Sequence, residues 1–259
     1  MHVSDLLFNI NLTNGRYADP LNLTRFDSRV YSQFGQDGWI AEIFNRIGTT
    51  NRFFVEIGIE DGTECNSRLL LEQGWTGVWI DGGSKVPKAK ENFLTFIVQG
   101  NLQIVEQFVT AENVNDILDA AGVPTNIDFL SVDTDMNTSH IWRAIDRTAR
   151  VVDVEYNASL PCSVSLEVPY DPKGVWSGGN FFGASLKAME HIGLDKKMSL
   201  VGCELAGVDA FFVHNDFKDQ FQAPFSAEFH REPCRYDLQA GRGHAPDRLA
   251  RRYIRHEAT

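Results

Sequence analysis

Two short apolar runs, each closed by acid and glycine, constrain the fold of this chain more than any other feature. Phe53-Phe54-Val55-Glu56-Ile57 stops at Gly58, and Gly77-Val78-Trp79-Ile80-Asp81 stops at Gly82-Gly83. Runs this short and this apolar predict strands buried on both faces, as in parallel sheets sandwiched between helices. Residues 63–72 between them read as a helix that Gly74 stops. In such strand–helix–strand units, ligands bind at the carboxyl ends of the strands.

The same alternation continues along the chain. Trp39, Ile40, Ile43, Phe44 and Ile47 make one apolar helical face over Asp37–Ile47. A third strand is expected at Leu94–Val98, and a helix over 112–121 on Val114, Ile117, Leu118 and Ala121. Ile127–Val132 reads as a fourth strand ending at Asp133. A helix on Ile141, Trp142 and Ile145 follows, then a fifth strand at Val151–Glu155. Residues 158–183 are rich in Ser, Pro and Gly and read as a long loop, a common form for lids and binding surfaces. A helix from Ala184 to His191, closed by Gly193, leads to strands at Ser199–Cys203 and Ala210–Val213, close to a hairpin. The expected fold is therefore α/β and Rossmann-like: a seven-stranded, mostly parallel sheet with a terminal antiparallel strand, the outline of the class I methyltransferase sheet. One domain is expected, with an arm (1–30), a core (31–217) and a C-terminal extension (218–259).

Composition narrows the function. The chain has 259 residues, 43% of them hydrophobic, enough for one continuous core. Its net charge of -11, without a long basic run, disfavours bulk nucleic acid as a partner. Cys65, Cys162, Cys203 and Cys234 have no CxxC spacing, and Cys65 and Cys203 sit among apolar residues as buried reduced thiols. The apolar run Leu6–Ile10 lacks the charged start and long core of a signal peptide, and no stretch approaches the ~20 apolar residues of a membrane span. A cytoplasmic protein with no membrane partner is expected.

The first strand ends in an acidic turn, Glu56-Ile57-Gly58-Ile59-Glu60-Asp61-Gly62. It has neither the GxGxxG of a dinucleotide site nor the Lys-Ser/Thr of a P-loop. An acidic turn repels a pyrophosphate but suits S-adenosyl-L-methionine, which carries a sulfonium and an amino group and no phosphate. Asp81 stands 25 positions after Glu56, where an acid can hydrogen-bond both ribose hydroxyls.

Several segments in order resemble the FkbM-type methyltransferases. They are Tyr31-Ser32-Gln33-Phe34-Gly35-Gln36-Asp37; Phe54-Val55-Glu56-Ile57-Gly58 with Gly62-Thr63-Glu64-Cys65-Asn66-Ser67; and Gly74-Trp75-Thr76-Gly77 before Asp81. Asp128–Asp135, Glu155-Tyr156-Asn157, Val168–Pro172, Phe182–Ser185 and Leu200–Glu204 continue the series, which covers about residues 30–217. The resemblance implies the class I fold, S-adenosyl-L-methionine as methyl donor and an oxygen acceptor in surface-polysaccharide or secondary-metabolite biosynthesis. Carried over by position, Glu56, Gly58 and Asn66 would line the methionine end, Asp81 would hold the ribose, and Asp133 would face sulfonium and acceptor. Gln33 and Asp37 would close over the cofactor. Members of the family often read Asp-x-Asp-Gly-Asn-Asp after the fourth strand; this chain has Asp133-Thr134-Asp135-Met136-Asn137-Thr138.

An alcohol acceptor must lose a proton. His140, at the start of the helix after Asp133, is the expected general base, ahead of His191, His214, His230 and His244. A second route is Mg2+ or Mn2+ on Asp133, Glu155 and Asn157, a hard oxygen set at neighbouring strand ends; hydrogen bonding of these acids to cofactor and acceptor is the simpler reading. Tyr156, Tyr170, Asp171 and Asn180, with Trp176 and Phe182, flank the long loop and are candidates for contact with a small-molecule or sugar acceptor. The basic stretch Arg248, Arg251, Arg252 and Arg255 reads as a solvated face or a subunit contact in a homo-oligomer, ahead of a site for a phosphorylated acceptor. Two rival functions stand beside this one. A Rossmann-type sugar-nucleotide or oxidoreductase enzyme is opposed by the missing GxGxxG. A non-catalytic S-adenosyl-L-methionine-binding module would keep Glu56, Gly58 and Asp81 and tolerate loss of His140 and Asp133.

Overall fold

A computed structural model of the chain describes residues 15–235 and 253–255. Five parallel strands, β1 (Phe53–Ile57), β2 (Thr76–Asp81), β3 (Leu102–Glu106), β4 (Asn126–Val132) and β5 (Thr148–Glu155), are joined to β7 (Met198–Cys203) and β8 (Asp209–His214) in one sheet. The order is β3-β2-β1-β4-β5-β8-β7. β8, the last of the seven in sequence, runs antiparallel to both β5 and β7 and sits between them. The expected α/β sheet is therefore present, and its strand order reverses at β1 and β4.

Period-two alternation divides each central strand between two cores. Val55, Val78, Leu130 and Val152 face one side, packed with Val114, Ile117 and Leu118 of α5 (Val114–Ala120) and Ile141 and Trp142 of α6 (Thr138–Ala144). Phe54, Trp79, Phe129 and Val151 face the other, against Trp39, Ile40 and Ile43 of α1 (Gln36–Ile47) and Leu70 and Leu71 of α2 (Arg68–Glu72). Both faces being covered explains why these strands read as nearly unbroken apolar runs.

Two expectations are corrected. Leu94–Val98 is not a strand: Leu94–Gln99 forms helix α4, directly after α3 (Val86–Asn92), and β3 begins at Leu102. The helix ends where Gly100 turns left-handed at φ 78°, and Leu94 and Val98 point to solvent (58% and 78% exposed). The shorter run Leu102–Glu106 pairs with Gly77–Asp81 instead. Gly193 does not close its helix but lies within α7 (Leu186–Asp195), where a Cβ would come 2.7 Å from the Phe212 ring.

The long loop holds one two-residue strand, β6 (Leu166–Glu167), paired with β9 (Ile254–Arg255). The described part of the arm packs on the C-terminal extension: Arg16 pairs with Glu232, and Asn22 donates to Gln222 (2.6 Å). Cys65 and Cys203 are buried free thiols. No helix among the described residues is long and apolar enough to cross a membrane. Leu6–Ile10, His244, Arg248, Arg251 and Arg252 lie outside the described residues; of Arg255 only the backbone is placed, in β9.

Candidate functional site

A cavity of ≈ 490 Å³ opens across the carboxyl ends of β1, β2, β4 and β5. Gln33, Phe34, Gly58, Glu60, Asp81–Gly83, Phe108, Val109, Asp133–Asp135, Asn137, Glu155 and Trp176 are among its walls. A smaller one of ≈ 110 Å³ adjoins it, with Gln33, Glu56, Asn66, Asp133 and Asp209 in its lining. Among the described residues, no Lys or Arg lines either cavity. Lys85 reaches only the exposed rim, pairing with Glu60 at 2.8 Å.

The backbone builds this site before any ligand is considered. Gly58 sits at φ 91°, and a Cβ there would lie 1.5 Å from the Asp133 carbonyl oxygen. The glycine thus lets the head of β1 pass against the head of β4, in a conformation only glycine adopts readily. Asp81 holds the turn after β1: its Oδ2 accepts from the Ile59 and Glu60 amides (2.9 and 2.8 Å), and its Oδ1 from Gly83 (2.5 Å). Glu56 accepts from the backbone amides of Asn66 and Ser67, both at 2.8 Å, and from the Ser67 hydroxyl. It therefore ties the start of α2 to β1, while burial pushes its carboxyl up to about 7. Asn66 donates to Asp153 (2.9 Å) and to Asp209 (3.3 Å), which lines the smaller cavity with it.

Around the ends of β4 and β5 the carboxylates crowd. Burial, with Asp135 and Asp209 nearby, pushes Asp133 up to about 8. Burial, then Glu60 and Asp81, pushes Asp135 up to about 6. Glu155 is raised well above the carboxylate range, by burial first and Asp133 second. One oxygen each from Asp133, Asp135 and Glu155 lie within 4.8 Å of one another. Asp135 reaches this position from a left-handed residue, φ 52°.

Other expected site residues stand elsewhere. His140 does not line the cavity: its Nε2 lies 2.8 Å from the Val168 carbonyl, and Arg143 approaches its Nδ1 at 3.4 Å. One ring nitrogen meets the loop and the other Arg143 of the same helix, because successive helix residues point about 100° apart and Ile141 takes the cavity side. His230 is buried away from the cavity, and burial pulls its imidazole down to about 4. Asp37 is also away from the cavity. Its Oδ2 accepts from the amides of Val30, Tyr31 and Ser32 (2.7–2.8 Å) and so anchors the turn that carries Gln33. Asn157 is fully buried; its amide donates to the carbonyls of Asn180 (2.9 Å) and Phe182 (3.0 Å), and its oxygen accepts from Ser159. It braces the loop, and Asp135 stands beside Asp133 and Glu155 in its place.

Tyr156 is buried, its hydroxyl on the Glu232 carbonyl at 2.8 Å. Tyr170 bonds Glu112, Asp171 caps the Lys173 amide, and the Asn180 carbonyl accepts from Asn157 and Tyr253. None of the four lines the cavity, whereas Trp176 of the same loop does. Sequence reasoning assigned no role to Asp135, Glu60, Phe34, Phe108 or Val109. Asp135 had a signal, standing two positions beyond Asp133. Phe108 and Val109 had none, because the third strand was expected too early.

No family model matches the chain, and no curated protein matches it either. Solved structures similar to it are methyltransferases. The N-terminal domain of EvdMO1 with SAH (S-adenosyl-L-homocysteine) bound is 13% identical over 71% of this chain and 82% of its own, with a TM-score of 0.44. The methyltransferase domain of bacterial CtHen1-C is 11% identical, over 69% and 96%, with a TM-score of 0.43. A SAM-dependent methyltransferase from Aquifex aeolicus is 12% identical, over 75% and 92%, at 0.40. Likeness of this size carries no argument, and the class of fold rests on the strand order given above.

Proposed function

We propose that this chain is a methyltransferase using S-adenosyl-L-methionine and acting on a hydroxyl of a small molecule or sugar. The observation that supports this most directly is the carboxylate-lined cavity at the strand ends, with no Lys or Arg among the described residues of its lining. Coulomb attraction favours a sulfonium and an ammonium there and opposes a pyrophosphate. The same charge weighs against the sugar-nucleotide and oxidoreductase reading.

The residues present fit the cofactor. Asp81 uses its oxygens on three backbone amides, yet a carboxylate has about four acceptor sites and can also take a ribose hydroxyl. Gly83 leaves open space beside it: a Cβ would meet only Asp81, at 3.0 Å. Ile80, Phe108 and Val109 offer an apolar wall for a purine. The acidic smaller cavity, reached past Gln33, suits the amino end. Bound there, the cofactor supplies a methyl group already activated on a sulfonium.

The chain's own residues do the rest. Gln33, Asn137 and Trp176 line the side left for an acceptor, which they hold and shield from water. Asp135, the least raised of the three acids at the ends of β4 and β5, takes the place His140 was expected to fill, as acceptor of the hydroxyl proton. A binding module without turnover needs no such cluster beyond the nucleoside pocket. The order of motifs resembling the FkbM-type enzymes supports a place in surface-polysaccharide or secondary-metabolite biosynthesis, in the cytoplasm. Calorimetric titration with SAH tests the reading. One saturable site per chain is expected, and no heat of binding at millimolar ligand would sink it.

A further inference from the structure

We infer that Asn137 selects the acceptor. Its Oδ1 takes a hydrogen bond from a second donor on the acceptor, a hydroxyl or an ammonium other than the group that is methylated. Resting on the methyltransferase reading, this selection gives the acceptor a chemical class: a polyol or an amino alcohol that carries neither phosphate nor carboxylate.

Asn137 is 3% exposed and lines the larger cavity. Its Nδ2 donates to the Asp171 carbonyl of the long loop at 2.8 Å. That carbonyl fixes which end of the amide is which, because the reverse orientation would set oxygen against oxygen. Oδ1 is therefore the other end, and no donor among the described residues reaches it. Asn137 also stands at the N-cap of α6, where an Asn oxygen ordinarily accepts from the first amides of the helix, and it makes no such bond. A buried acceptor without a partner costs free energy. A ligand that donates to it recovers that cost, and a ligand lacking the donor does not.

The rest of the wall sets the charge of the acceptor. Glu60, Asp81, Asp133, Asp135 and Glu155 stand around the same space, and no Lys or Arg is among the described residues of the lining. The side-chain donors there are neutral. The Asn137 amide donates to Asp171 and the Trp176 indole to the Gly179 carbonyl (2.7 Å); the others are Gln33 and Thr134. Such a wall favours groups that donate hydrogen bonds and opposes an anion by Coulomb repulsion. Hydroxyl and ammonium groups meet both conditions, whereas phosphate and carboxylate meet neither.

The test is binding of four ring probes to the SAH-loaded full chain, read by ligand-observed nuclear magnetic resonance. The probes are methyl glucopyranoside, methyl glucosaminide, methyl glucuronide and tetrahydropyranylmethanol, which keeps a single hydroxyl. The glucopyranoside and the glucosaminide should bind about tenfold tighter than tetrahydropyranylmethanol, the worth of one hydrogen bond, and the glucuronide more weakly than the glucopyranoside. Asn137→Leu should erase the advantage of the glucopyranoside, while Asn137→Asp, which keeps an oxygen acceptor, should retain it. Both variants lose the bond to Asp171, so a purely structural role would move them together. Asn137→Ala replaces Asn137→Leu if the latter does not fold. Equal binding of the glucopyranoside and tetrahydropyranylmethanol, preference for the glucuronide, no binding of any probe at tens of millimolar, or an advantage that survives Asn137→Leu overturns the selection. So does a loss of SAH affinity in Asn137→Leu with the probe ranking unchanged, which would give the oxygen to the adenine amine instead. SAH titration of the same samples separates the two readings. Protein that takes SAH but ranks the probes otherwise overturns the selection and leaves the methyltransferase reading standing; protein that takes no SAH overturns both.

Discussion

Gly58 and Asp81 stand out in the sequence as ligand contacts, and both turn out to have backbone work. The missing side chain at Gly58 makes room for the Asp133 carbonyl, and the Asp81 carboxylate pins the amides of Ile59, Glu60 and Gly83. Gly58→Ala should therefore destabilise the fold by about 3 kcal/mol or more, through the clash and the forced φ together, as read by urea denaturation. Asp81→Ala should weaken SAH binding about 10- to 100-fold, the worth of one or two hydrogen bonds to a charged group. Unchanged affinity by calorimetry would show that other groups hold the nucleoside. His140→Ala should leave SAH affinity intact and cost about 1 kcal/mol of stability, because its ring bonds the loop and not the cavity. The types of residue at the site were legible in the sequence; the direction in which His140, Asp37 and Asn157 point was not. Direction depends on a partner such as Val168, 28 positions away, that no local pattern names.

At the level of elements, buried strands announced themselves and half-exposed ones did not. β1, β2, β4 and β5 lie in the middle of the sheet, so both their faces are apolar and the runs are easy to read. β3 lies at the rim, with Gln103 and Glu106 exposed, while α4 beside it carries Leu94, Phe96, Ile97 and Val98. A short apolar run fits helix or strand equally well, and here the β-branched residues point the wrong way. The two assignments differ in a measurable way. Val98→Glu should change stability by no more than about 0.5 kcal/mol, since the side chain is 78% exposed. Leu102→Ala should cost about 2–5 kcal/mol, since Leu102 is buried in β3. Equal effects on the urea midpoint would contradict the placement of β3.

Across the whole molecule, buried carboxylates set the response to pH. Glu204, fully buried in the turn from β7 to β8, accepts from the amides of Ala206 and Val208, and burial pushes it up to about 8. Its folded pKa lies above its unfolded one, so the folded state holds the proton more tightly. The stabilising contribution is complete below about pH 4.5 and is lost as pH rises through about 8. The urea midpoint should fall between pH 5 and 8, and Glu204→Gln should flatten that fall; an unchanged slope would show that burial there is not the cause.

From the sequence alone came the alternation of strand and helix, the two covered faces of the sheet, and the acidic, phosphate-averse turn after β1. Those follow from hydrophobic period and from glycine at strand ends, which act within a few residues of themselves. Only the tertiary structure decided that Asp133, Asp135 and Glu155 meet while Asn157 and His140 turn away. Strand pairing brings β4 and β5 together across more than twenty residues of chain, and packing of the 158–183 loop claims the side chains it needs. Which polar group remains free to face the cavity is settled by that competition.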